Sequence, residues 1–213
     1  MSSDVLVTTP AQRQTEPHAE AVSRNRRQQA TFRKVLAAAM ATLREKSYAD
    51  LTVRLVAARA KVAPATAYTY FSSKNHLIAE VYLDLVRQVP CVTDVNVPMP
   101  IRVTSSLRHL ALVVADDPEI GAACTAALLD GGADPAVRAV RDRIGAEIHR
   151  RITSAIGPGA DPGTVFALEM AFFGALVQAG SGTFTYHEIA DRLGYVVGLI
   201  LAGANEPSTG GSE

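Results

Sequence analysis

Apolar positions recur at helical steps along almost the whole chain. Phe32, Val35, Leu36, Ala39, Met40 and Leu43 sit three or four residues apart and form one face of an amphipathic helix reaching back to about Asn25. Thr52 is placed to cap a short second helix through Ala60, and Pro64 suits the first turn of a third, where its missing N–H costs nothing. Ser72 or Ser73 caps a fourth, running to about Val89. Pro90, Pro98 and Pro100 then break the pattern. It resumes near Arg102 to Ala115, Pro118 to Leu129, Pro135 to Ile156, Thr164 to Ala179 and Tyr186 to Ala204, each stretch bounded by Gly, Pro or Asp. In the third of these, Val137, Val140, Ile144, Ile148, Ile152 and Ile156 draw a clear stripe. No strand alternation competes, so the expected fold class is all-α. The expected organisation is a disordered arm over 1–23, a small domain over 24–76, a larger helical domain over 77–205 and a disordered tail over 206–213.

Composition supports a packed core, since 48% of the 213 residues are hydrophobic and 20% are charged. The 21 basic residues balance 21 acidic ones, yet the balance hides a polarised chain. Arg24 to His76 holds eleven basic and two acidic residues, a local charge of +9, whereas residues 91–213 hold eight basic and fourteen acidic, a charge of −6. Such asymmetry points to a nucleic-acid or membrane contact confined to one part of the chain. The two cysteines, Cys91 and Cys124, form no CxxC pair and staple no scaffold, which fits a reducing cytoplasm. The N-terminus has no apolar run of signal-peptide length, and no segment is expected to cross a membrane, because Leu193 to Ala204 is too short and the helix around Leu168 contains Glu169.

The sharpest constellation runs from Leu51 to Lys74, LTVRLVAARAKVAPATAYTYFSSK. Two short helices joined by about three residues inside a basic block form a helix-turn-helix, which lays its second helix in the major groove. Ala57 and Ala60 are small where the helices cross, while Leu55, Val56, Val62, Ala67 and Phe71 supply the apolar underside that docks on helix 1. Pro64, Thr66, Tyr68 and Tyr70 are left on the outer face. The run resembles the DNA-binding segment of the TetR (tetracycline-repressor-like) family of bacterial transcriptional regulators, from the first helix into the fourth. Chain length and an all-helical remainder are also similar to that family, and 17 Arg against 4 Lys fits a high-GC bacterial source.

The resemblance implies that Arg54, Pro64, Thr66, Tyr68 and Tyr70 face DNA and that Lys74 grips phosphate. Lys74 also starts the fourth helix, where free N–H groups favour an anion. Arg24, Arg26 and Arg27 precede the first apolar turn and are placed to reach the DNA backbone or a minor groove. Tyr68 and Tyr70 have an alternative reading as packing aromatics. Two positions depart from the family pattern: Lys61 stands where a turn glycine is common, requiring a positive φ or an altered turn, and Ala63 replaces the polar cap, weakening that helix end by about 1 kcal/mol. With Ala63, Pro64 and Ala65 offering base edges no hydrogen bonds, readout is expected to rest on Arg54 with guanine, thymine-methyl contact and DNA shape.

For the remainder, the resemblance implies a homodimer and a small-molecule site. Ala167, Ala171, Gly174 and Ala175 on one helix, and Leu193, Val197 and Leu201 with Gly194 and Gly198 on the next, are the expected dimer interface. Tyr82, Val86, Leu110, Val114, Cys124, Leu128, Phe166, Met170 and Phe173 are the expected wall of an apolar cavity, and Arg108, His109 and Glu169 the polar groups that orient its ligand. An enzyme is the competing class, but the chain has no GxSxG, Walker, GxGxxG or HExxH motif, and its five scattered histidines lack metal-ligand spacing. A helical carrier of lipophilic ligands without a DNA role is the second alternative; it has no need of the basic segment around Arg54. The expectation is therefore a non-enzymatic regulator, without metal or cofactor, whose partners are double-stranded operator DNA, a second copy of itself and a small hydrophobic effector that releases the DNA.

Overall fold

A computed structural model describes residues 17–130 and 133–204, with the backbone alone for 17–24. The described residues form helices only: α1 Pro17–Leu43, α2 Val53–Arg59, α3 Pro64–Tyr70, α4 Lys74–Gln88, α5 Met99–Leu112, α6 Pro118–Asp130, α7 Pro135–Ile156, α8 Pro162–Gly180 and α9 Tyr186–Ala204. Their starts follow from local chemistry. Thr52 accepts from the Leu55 N–H at 3.1 Å, Ser73 from His76 at 3.1 Å, Asp134 from Ala136 at 2.9 Å and Asp161 from Thr164 at 2.7 Å, each satisfying an amide that the helix leaves open. Proline occupies the first turn of α3, α7 and α8. At the far end of α7, Gly157 takes a φ of 98° that a side chain would resist.

Two expectations change besides the shift of α5 to Met99–Leu112, which takes Pro100 into its first turn. Residues 17–23, expected in the irregular arm, continue α1 backward, because Ala19, Glu20 and Ala21 favour the helix once Pro17 has started it, even without an apolar period. Residues 1–16 of that arm and the tail over 206–213 lie outside the described residues. Second, α8 gains residues at both ends and becomes long and apolar enough, by length and composition, to cross a membrane. In the fold it packs against α9, α6 and α7.

One core runs through both ends of the molecule. Val35, Leu36 and Ala39 of α1, Val56 and Ala57 of α2, and Leu77, Ile78 and Val81 of α4 join Leu107, Leu110, Ile148, Ile152, Leu168 and Phe172 in a continuous buried cluster. α4 is its axis, touching α1 on one side and α6 and α7 on the other, while α5 is clasped between α7 and α9. Two buried guanidiniums close helix ends. Arg151 of α7 donates to the carbonyls of Arg87, in the last turn of α4, and Val89, just past it, at 3.2 and 2.9 Å, and to Glu147 at 2.6 Å. Arg102 of α5 donates to the Ala155 and Ile156 carbonyls at 2.8 and 3.0 Å, closing α7, and to Val97 at 2.6 Å. A cation at a helix C-terminus satisfies the orphan carbonyls and complements the dipole.

Candidate nucleic-acid interface and interior cavity

The turn between α2 and α3 forms because the chain reverses within a few residues of Arg59. The Val62 N–H reaches the Ala57 carbonyl at 2.9 Å and the Lys61 N–H the Ala58 carbonyl at 3.1 Å, the paired bonds of a left-handed helix stop. Lys61 sits at the left-handed position with a φ of 53°, so a lysine adopts the conformation that glycine would take without strain. Ala63 makes no side-chain cap, leaving Pro64 to open α3. Beneath α3, Ala67 and Phe71 are fully buried, and Phe71 stacks on Phe32 of α1 with ring centroids 5.1 Å apart.

The opposite face holds Pro64, Thr66 and Tyr68, all exposed, with Arg54 exposed on α2. Arg54 has no side-chain partner among the described residues, whereas Arg59, on the same helix, is held by Glu45 through two contacts of 2.5 and 2.6 Å. Tyr70 leans inward, half-buried and edge-on to Phe32 at 6.1 Å, the packing alternative rather than the outward one. Lys74 also turns inward: its ammonium donates to the Tyr48 carbonyl at 3.2 Å and lies 4.5 Å above the Tyr48 ring, so it ties α4 to the loop after α1. Arg26 and Arg27 are exposed on α1; the side chain of Arg24 lies outside the described residues.

Polar contacts between this head and the rest of the chain were not legible in the sequence. The Ser73 hydroxyl donates to Asp134 at 3.0 Å while accepting from the His76 N–H, so one serine joins the start of α4 to that of α7. Arg44 clasps Asp117 through contacts of 2.7 and 2.6 Å, joining the end of α1 to the approach to α6. Glu80 of α4, buried, receives Arg143 of α7 at 2.6 Å, with His76 at 3.8 Å. Although burial pushes the Glu80 carboxyl up, the nearby His76 ring and the Arg143 hydrogen bond hold it below its ordinary value.

Behind α4 lies a cavity of about 360 Å³, within the size range of small-molecule sites. Its wall comprises Tyr82 of α4, Val114 after α5, Gly121, Cys124, Thr125, Leu128 and Leu129 of α6, Arg141 and Ile144 of α7, Phe173, Leu176 and Val177 of α8, and Tyr186 of α9. Among the expected wall residues, Tyr82, Val114, Cys124, Leu128 and Phe173 lie there. Val86 and Leu110 do not: both are fully buried in the core. Phe166 and Met170 do not either, being more than half exposed on the outer side of α8, because an apolar helix presents more than one face. The expected orienting groups are elsewhere too. Arg108 is paired with Asp191, Glu169 with His149, and His109 is exposed.

The wall residues missed in the sequence arrive through long-range packing. A side-chain carbon on Gly121 would stand 2.3 Å from the Tyr186 hydroxyl, so glycine there admits the tyrosine from α9. Burial pushes the Cys124 thiol up to about 12, which makes it an unreactive wall atom. Burial also raises the Tyr82 phenol, with further contributions from Cys124 and Tyr186.

The expected dimer residues divide. Ala167, Ala171 and Ala175 are half-buried and Gly174 is exposed, but Leu193, Val197 and Leu201 are buried within the protomer, on the helix that packs most extensively on α5. Gly194 is half-buried beside Thr104 of α5, whereas Gly198 is exposed. The outward apolar side chains of α9 are Tyr195 and Leu199, near in kind to Phe166 and Met170 of α8. Among the described residues no cluster of three or more His, Cys, Asp or Glu is arranged for a metal ion.

Residues 35–81 match the sequence model of bacterial regulatory proteins of the tetR family. The fold is similar to a TetR transcriptional regulator from Rhodococcus sp. RHA1, with a TM-score of 0.69 and 21% identity over 85% of this chain and 99% of that one. It is also similar to FadR of Thermus thermophilus, a TetR family transcriptional repressor solved in complex with lauroyl-CoA, with a TM-score of 0.61 and 18% identity over 85% and 100% of the two chains. The match across α1 to α4 and the shared all-helical architecture agree: the chain carries a tetR-family DNA-binding domain on the fold of that family's transcriptional regulators.

Proposed function

We propose that the protein is a ligand-responsive transcriptional repressor, which binds a two-fold operator as a homodimer and leaves it when a small hydrophobic effector fills the interior cavity. The observation that carries this reading is the double use of α4: at its start Lys74 ties it to the loop after α1 and Ser73 ties it to α7, and Tyr82, farther along, walls the cavity. An event in the cavity and an event at DNA act on one rigid element. Linkage then requires effector and DNA to weaken each other's binding by the same factor.

In this reading, Arg54 of α2 and Pro64, Thr66 and Tyr68 of α3 meet the major groove, and Arg26 and Arg27 meet phosphates. Lys74 positions the head from within. Tyr70 contributes mainly by holding α3 on α1. The exposed apolar side chains Phe166, Met170, Tyr195 and Leu199, with Gly174 and Gly198 among them, form the partner surface, since α8 and α9 carry more apolar residues than one protomer buries. This surface also accounts for the membrane-like composition of α8. The protein acts in the cytoplasm and carries out no catalytic step.

The test is selection of bound fragments from random DNA by the full-length protein, followed by a screen of lipophilic compounds for release of the best fragment. The expected result is a palindromic site, a dimeric mass at micromolar concentration and release that grows with compound concentration. A monomer, or a compound that binds without lowering DNA affinity, overturns the reading.

A further inference from the structure

Tyr82 is 5% exposed, and its hydroxyl is the one buried side-chain oxygen or nitrogen without a hydrogen-bond partner among the described residues. Its side chain borders the cavity, and the two neighbours that bear electrostatically on its oxygen, Cys124 and Tyr186, border the same space. A phenol is a good donor, and a native core rarely leaves a buried donor unmatched without a functional reason. Among the other polar groups of the wall, the Tyr186 hydroxyl has the Thr125 side chain beside it. Thr125 donates to the Gly121 carbonyl at 3.1 Å, and the Cys124 sulfur faces the Ile78 carbonyl at 3.9 Å.

Charge and size narrow the occupant further. Among the described residues no carboxylate lines the cavity, and the one ionised side chain there is Arg141, which is exposed and donates to the Leu128 carbonyl. A cation entering this space finds no counter-charge, and burying an unpaired charge is strongly unfavourable. A dry cavity of ~150 Å³ accepts benzene, so the volume here corresponds to roughly 14 non-hydrogen atoms by the same scale.

Resting on the reading of this cavity as the effector site, we propose that the effector is an uncharged, largely apolar molecule of about that size bearing a carbonyl oxygen, and that Tyr82 recognises this oxygen by donating its hydroxyl hydrogen. Hydrocarbon wall supplies affinity, and the phenol supplies selection between a carbonyl compound and its hydrocarbon analogue. Such selection arises because the wrong ligand leaves the buried donor unmatched.

The experiment measures, by calorimetry on the full-length protein, the binding of benzophenone and of methyl decyl ketone, each against the isostere in which a methylene group replaces the carbonyl oxygen. One pair is rigid and the other flexible. The expected result is a preference of about tenfold for the ketone in at least one pair, abolished in Tyr82→Phe, which binds the ketone no better than its isostere. Equal binding of ketone and isostere by the unaltered protein overturns the assignment of Tyr82 but leaves the cavity as an effector site. Binding of neither pair overturns the effector reading as well. Tight binding of dodecanoate, lost in Arg141→Ala and indifferent to Tyr82→Phe, also overturns the proposal by moving the polar anchor to the rim.

Discussion

The arginines of the helix-turn-helix end and those of the larger helical part share one chemistry and are used in opposite directions. Arg26, Arg27 and Arg54 are exposed, and no carboxylate holds them among the described residues. Arg102 and Arg151 are buried, aimed at backbone carbonyls that end α7 and α4. A guanidinium on the surface without a partner keeps its donors for phosphate or a base edge. One in the interior is structural, and removing it strands the groups it satisfied. Net charge does not distinguish these uses, because it counts both arginines alike.

The largest effect is expected at the inward pole. Arg151→Ala strands the Arg87 and Val89 carbonyls and leaves the Glu147 carboxylate to Arg150 and Arg87 alone, and should lower unfolding stability by about 3–5 kcal/mol in urea titrations. If the loss is below about 1 kcal/mol, the buried arginine is not what closes α4. At the outward pole, Arg54→Ala should change stability by less than about 0.5 kcal/mol yet weaken operator binding by about 1–3 kcal/mol, with discrimination relaxed at one position. Equal weakening on every DNA sequence would make Arg54 a phosphate contact alone.

A smaller effect separates shape from charge. Lys61→Gly should raise stability by about 0.5–1 kcal/mol, because relief of the left-handed strain exceeds the entropy that glycine adds to the unfolded chain. Lys61→Ala should give no such gain, since alanine meets the same strain. A gain in both variants would assign the effect to charge. The last test follows pH. Hydrogen bonds from Arg150 and Arg151 lower the Glu147 carboxyl from 4.5 to about 2. With the folded value depressed, its contribution is complete above about 4.5 and declines as pH falls toward about 2. Glu147→Gln should therefore flatten the stability profile over that interval, measured by denaturation at stepped pH. An unchanged slope would assign acid sensitivity to other carboxylates, such as Asp117 beside Arg44.

What the sequence made legible was local. Helices α7 and α9 have their expected bounds, the first because Asp134, Pro135 and Gly157 punctuate it. The helix-turn-helix was readable because its turn, underside and outer face lie within one short run, and the strained Lys61 was identifiable from its place in that run. Facing was harder. α9 carries apolar residues on more than one side, so the stripe of Leu193, Val197 and Leu201 announced burial without saying whether α5 or a second protomer covers it. The same ambiguity placed Phe166 and Met170 in the cavity wall. The true wall residue Tyr186 depends on a space left by Gly121, 65 positions earlier in the chain, a coincidence no periodicity records.

The hydrogen bond between Ser73 and Asp134 has a consequence for how the molecule opens. Ser73 caps α4 and Asp134 caps α7, and each cap also holds the other. Fraying at the start of either helix removes a support from the start of the other, so the two ends belong to one cooperative opening unit although they are 61 positions apart. The boundary between the helix-turn-helix end and the larger helical part is thus a place where both protect, or expose, their amides together.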